Sequence, residues 1–177
     1  MLNDPLADNS QGHTWLEGTY KQGSTCSFTN GVYQATQPNP GYFHTCMAQA
    51  TDYSNFAVEV QMTLASGDYA GIVFRNANSS SYLFSVFTTG QYMLQLFDPS
   101  HSTGMTLSQG PAPPISLGQS YTLAVGAEFG NIGLYVNQQK IASVTDPTLT
   151  HGQIGVLVGN VNSSSAVALF SNAKVWA

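Results

Sequence analysis

From Asn55 to Ala65, apolar Phe56, Val58, Val60, Met62 and Leu64 alternate with Ala57, Glu59, Gln61 and Thr63. A period of two sends successive side chains to opposite faces, so this segment predicts a half-buried strand. The same period runs through Tyr121 to Phe129 and returns in Ile132, Leu134 and Val136, with Gly130 and Asn131 between them, which predicts a two-residue hairpin. Further strands are predicted over 24–28, 32–37, 42–50, 69–76, 82–89, 91–98, 140–144, 153–159 and 166–176. Turn-forming runs such as Thr29-Asn30-Gly31, Pro38-Asn39-Pro40-Gly41 and Ser66-Gly67-Asp68 separate them. No segment repeats with the 3.6-residue period of an amphipathic helix. The fold class is therefore all-β, two packed antiparallel sheets in a sandwich or barrel. Residues 99–117, with Gly104, Gly110 and the prolines at 111, 113 and 114, read as a long rim or crossover loop, and residues 1–23 as a segment packing on the sandwich.

At 177 residues the chain suits one domain, 1–177, with a single core. Only 7% of residues are charged, and the net charge is −5, so solubility rests on Ser, Thr, Asn and Gln, and the basic footprint of a nucleic-acid binder is missing. No apolar run approaches the length of a membrane span, which argues against membrane insertion by this domain, and Met1 to Pro5 lacks the pattern of a signal peptide. The two cysteines, Cys26 and Cys46, flank a hairpin whose strands 24–28 and 42–50 could pair, and are expected to form a disulfide. The other reading is two buried thiols. A disulfide and a lysine-poor, tyrosine-rich composition point to an extracellular or cell-surface location.

Tyr53 to Met62 followed by Gly71-Ile72-Val73-Phe74-Arg75 resembles the concanavalin A-like lectin/glucanase superfamily, nearest to the bacterial 3-keto-disaccharide hydrolase-like family. Ile132 to Asn137, Ile154-Gly155-Val156 and Phe170 to Trp176 are similar to the late strands of such domains, so the resemblance runs from Cys26 onward. It implies a jelly roll whose concave sheet offers carbohydrate a groove, often as one module of a larger chain. It also implies a structural calcium near the chain ends, for which Asp4, Asp8 and Asn9 are the available oxygen ligands; ordinary turn chemistry explains these three better.

With Phe56, Val58 and Ile72 facing the core, alternation directs Glu59, Gln61, Tyr69 and Arg75 to the opposite face. Arg75 is the only arginine; a guanidinium there could fork onto sugar hydroxyls, with Tyr69 and Phe87 supplying rings and Gln95 an amide. The competing reading is a cross-strand ion pair between Arg75 and Glu59. The resemblance also supplies a test for catalysis, because family-16 glucanases carry Glu-x-Asp-x-x-Glu on one strand. Here Glu59 stands between Ala57 and Gln61, without a partner acid. His13, His44, His101 and His151 show no metal-site spacing, and no nucleophile motif occurs, so no catalytic residue, metal or cofactor is expected. The sequence thus points to a non-catalytic module binding carbohydrate or another surface ligand. The alternatives are a hydrolase or lyase acting on a modified disaccharide, and a protein-interaction module without a sugar site.

Overall fold

The computed structural model describes all of residues 1–177. Its strands are β1 (Leu2–Asp4), β2 (Gly18–Thr19), β3 (Thr25–Thr29), β4 (Val32–Gln37), β5 (Phe43–Met47), β6 (Phe56–Ser66), β7 (Tyr69–Ala77), β8 (Ser80–Phe87), β9 (Gln91–Asp98), β10 (His101–Pro111), β11 (Ser120–Glu128), β12 (Asn131–Val136), β13 (Gln139–Thr145), β14 (Gln153–Gly159) and β15 (Ala166–Trp176). A 3-10 turn over Lys21–Gly23 is the only helical element. Nine strands form one antiparallel sheet in the order β13-β12-β11-β6-β15-β4-β3-β2, with β1 beside β15; the other six form a second, β10-β9-β8-β7-β14-β5. This is the predicted jelly-roll sandwich.

The alternation in β6 does what its period requires. Phe56, Val58, Val60, Met62 and Leu64 are buried while Ala57, Gln61 and Ala65 are exposed. They meet Ile72 and Phe74 of β7, Phe84 and Val86 of β8, Leu94 and Leu96 of β9, and Val156 and Val158 of β14 in one core between the sheets. The chain passes from the nine-stranded to the six-stranded sheet at Ser66-Gly67-Asp68. Gly67 has φ +106°, and a Cβ on it would stand 2.4 Å from Cβ of Ala166, so this crossover requires glycine.

Three expectations are corrected. Cys26 and Cys46 do form a disulfide, but β3 and β5 are not paired: they belong to different sheets, and the bond ties the two layers together. The hairpin pairs Glu128 with Asn131, so its turn is Phe129-Gly130, with Phe129 at φ +51° and 73% exposed. Most of 99–117 is strand: His101–Pro111 is the edge strand β10, and only the residues after it cross back to β11. Two register shifts against β9 and the glycines along β10 break the period of two, which is why the segment reads as loop. The 1–23 segment lies along the sandwich through β1, β2 and a bridge from Trp15 to Ala48.

Candidate functional site

The register of the six-stranded sheet fixes which side chains share its outer face. One cross-strand row is Phe43, Gly159, Tyr69 and Phe87; the next is Thr45, Leu157, Gly71, Ser85 and Met93; a third is Met47, Gly155, Val73, Leu83 and Gln95. An outer face would ordinarily be wet, yet Leu157, Val73, Ser85, Leu83 and Met47 are all buried. Met47, Val73, Leu83 and Leu157 form a second small apolar cluster, with Leu16, Tyr69 and Phe97 against it.

The cause is curvature. Three strands lie between β5 and β9, so in a flat sheet these two would be about 19 Å apart. The rings of Phe43 and Phe97 nevertheless meet edge to face, with centroids 5.3 Å apart. The sheet therefore curls toward its outer face, and aromatic side chains from its two sides close over the floor. Glycines make room for them. A Cβ on Gly159 would stand 2.2 Å from the Tyr69 ring, and one on Gly104 would stand 2.6 Å from the ring of Phe97 and 2.9 Å from Nε2 of Gln95. Tyr69 and Phe87 form a ledge along the first row, their centroids 4.7 Å apart.

At the rim, burial raises the Asp68 carboxyl, but hydrogen bonds outweigh it and hold the group at about 2. Those bonds are donated by Ser163 through N–H and Oγ, and by the N–H groups of Val161 and Asn162. Burial, followed by the Asp68 charge, pushes Tyr69 up to about 12, so its hydroxyl keeps its proton at neutral pH.

The expected site residues fall in three places. Tyr69, Phe87 and Gln95 share the curled face. Glu59 and Gln61 lie on β6 and point outward from the other sheet, Glu59 between Lys174 and Ala124, Gln61 bonded to Asn172. Arg75 lies on neither face. The register of β7 shifts after Phe74, and Arg75 itself has φ +49°, which turns its side chain inward where strict alternation would send it out. It is fully buried, donating through Nη1 to the Leu149 carbonyl at 2.8 Å and through Nη2 to that of Ser54 at 2.7 Å. Arg75 thus clamps two loops at one end of the sandwich, and the ion pair with Glu59 does not form. Sequence reasoning missed Phe43 and Phe97; outward glycines in neighbouring strands, Gly159 and Gly104, were the available signal.

The calcium ligands implied by the resemblance do not fit a cation. Asp4 is buried and accepts from Leu6 N–H at one oxygen and from the Trp15 indole at the other, while Oδ1 of Asn9 accepts from Trp15 N–H and Asp8 from Ser10 N–H. Cys26, His44 and Cys46 gather within 4.8 Å, but both sulfurs are consumed by the disulfide, which leaves no thiolate to ligate a metal.

No protein-family model matches the chain, and no curated protein matches it by sequence. Solved structures do. A family-66 carbohydrate binding module from Bacillus subtilis superposes with a TM-score of 0.76 at 18% identity, over 92% of this chain and 95% of that one. A Bacillus subtilis protein of unknown function with a galectin-like fold gives 0.76 at 13%, over 99% and 94%. A family-16 endo-glucanase from Bacteroides ovatus gives 0.67 at 11%, over 99% of each chain. At such identities the likeness is one of architecture: the chain has the galectin-like, concanavalin A-like jelly-roll fold that these proteins share.

Proposed function

We propose that the protein is a non-catalytic, extracellular carbohydrate-binding module that holds its ligand on the curled outer face of the six-stranded sheet. One observation carries this reading: the Tyr69–Phe87 ledge, with Gln95 on the same face, bounds a concave surface whose outward rows contain no carboxylate. Rings of this kind take the apolar face of a pyranose, and amides take its hydroxyl edge. That a structural neighbour is a carbohydrate binding module supports the ligand class. The inter-sheet disulfide supports an oxidising compartment.

Hydrolysis or lysis of a modified disaccharide, the activity suggested by the resemblance to the 3-keto-disaccharide hydrolase-like family, is the less supported reading. Glycosidases place two carboxyl groups about 5 to 9.5 Å apart. The outward acids on the other sheet are Glu59, level with Ala124 on β11, and Glu128, four residues further along β11, a backbone distance of about 13 Å.

The test is binding to an immobilised glycan panel by the wild-type protein and by Tyr69→Ala and Phe87→Ala, with mass spectrometry of the bound sugars after incubation. Either substitution should weaken binding by about tenfold, as loss of a central aromatic contact does, and the sugars should stay intact. Undiminished binding by both variants, or a cleaved sugar, would overturn the reading.

A further inference from the structure

The opposite side of the sandwich carries its own concavity, an open groove of about 790 Å³, within the size range of ligand sites. It crosses the nine-stranded sheet at right angles to the strands. Sheet register sets Gly126, Gly133 and Ser143 side by side as its floor, in line with Ala57 of β6. Trp176, the cross-strand partner of Ala57, stands at one end and is 43% exposed. Tyr135 lies back over Gly133, where a Cβ would sit 3.0 Å from its ring. Two aromatic rings thus border one lane, on strands about 14 Å apart. Nothing stands above Gly126 between them, since a Cβ there would meet no atom within 4 Å.

The edges of the lane are polar. Asn55, Glu128, Asn131 and Thr145 border one side, and Lys140 borders the other, its ammonium 5.7 Å from the Tyr135 centroid. Among the lining side chains, one carboxylate, Glu128, and one ammonium, Lys140, cancel in charge. The rest of its hydrogen-bonding capacity is amide and hydroxyl.

We infer that this groove is a second binding site, for a neutral linear oligosaccharide lying across the strands with sugar faces against Trp176 and Tyr135. Each feature selects that chemistry. The rings match apolar sugar faces, the amides and hydroxyls match sugar hydroxyls, and the small floor lets a chain lie close to the backbone. An anionic polymer would find no cation cluster to neutralise it, and a protein partner would find no deep apolar pocket for an anchoring side chain. The site is independent of the curled face. With both occupied, one molecule could bridge two glycan chains.

Tryptophan fluorescence reads this site directly. Trp15 is buried, its indole donating to Asp4, so Trp176 is the tryptophan a ligand can reach. The intact protein is titrated with laminarihexaose, cellohexaose, xylohexaose, mannohexaose and a levan oligomer, with a polygalacturonate oligomer as the anionic probe. At least one neutral probe should change Trp176 emission and shield it from acrylamide, with little dependence on salt. Gly126→Val fills the lane without meeting another atom at its Cβ. It should weaken that response at least tenfold at an unchanged urea midpoint, and Tyr135→Ala should weaken it similarly. Tyr69→Ala, on the other face, should leave it intact. The inference falls if no neutral probe changes Trp176 emission, if both groove variants respond as the wild type does, or if polygalacturonate binds best with steep salt dependence.

Discussion

The two outer faces of this sandwich obey different rules. On the nine-stranded sheet, β6 and β11 alternate strictly, and the outward set of Ala57, Gln61 and Glu128 is exposed. On the six-stranded sheet, β7, β8 and β14 are buried over five or more consecutive residues, so both sides of these strands are withdrawn from water. Curling is what separates the faces: one sheet closes on its own aromatic side chains, and the other stays open and wet. The first gives a concave apolar floor with a ledge of rings, the second a shallow polar lane with a ring at either end.

Polar substitution is the strongest probe of that contrast. Leu157→Asp, on the buried floor of the curled face, should cost about 3 kcal/mol or more, because a carboxylate there has no water and no partner. Ala57→Asp, on the open face, should stay within about 0.5 kcal/mol of wild type. Equal urea midpoints for the two variants would erase the distinction between the faces.

Arg75→Ala probes the boundary between them. It leaves the carbonyls of Leu149 and Ser54 without their buried donor, so a stability loss of about 2 to 3 kcal/mol is expected from thermal or urea unfolding. Affinity for sugars at either face should be unchanged under conditions where the variant remains folded, since the guanidinium reaches neither surface. A weakened affinity with normal stability would restore Arg75 as a ligand contact.

The smallest effect is a pH dependence confined to the curled side. Asp68 is held at about 2 in the folded protein, below its ordinary 3.8. The stability it contributes is therefore present above about pH 4 and is lost as pH falls through about 2. Asp68 is only partly buried, so solvent screening holds the contribution to at most about 1 kcal/mol. Its anchoring of Val161, Asn162 and Ser163 beside Tyr69 predicts that binding at the ledge weakens through this group only as pH falls toward about 2. In Asp68→Asn that part of the pH profile should flatten, as read by urea unfolding between pH 2 and pH 5.

Much of this was legible along the chain. The strand periodicity points to the all-β sandwich and turns Tyr69 outward, because a period of two fixes sidedness within a strand, while Phe87 and Gln95, expected beside it, share its face through cross-strand register. Glu59 and Gln61 failed to join them because sidedness is local: outward from β6 and outward from β7 are opposite directions when the two strands lie in different sheets. The edge strand β10 was hidden by its register shifts, and Arg75 by a single backbone angle that reversed its direction.

The sequence by itself determined which residues are apolar, where the chain turns, and that strands rather than helices bury the core; these follow from local periodicity and the conformational limits of Gly, Pro and Asn. It also placed glycines at positions 104, 126, 133 and 159, without setting the direction each one faces. Tertiary structure decided what those glycines are for. Curvature of the six-stranded sheet brought Phe43 to Phe97 and Tyr69 over Gly159, while cross-strand register aligned Gly126 with Gly133 into an open lane. Contacts between residues distant in sequence depend on strand order, register and coiling, and these are set by how the whole core closes, which no local pattern encodes.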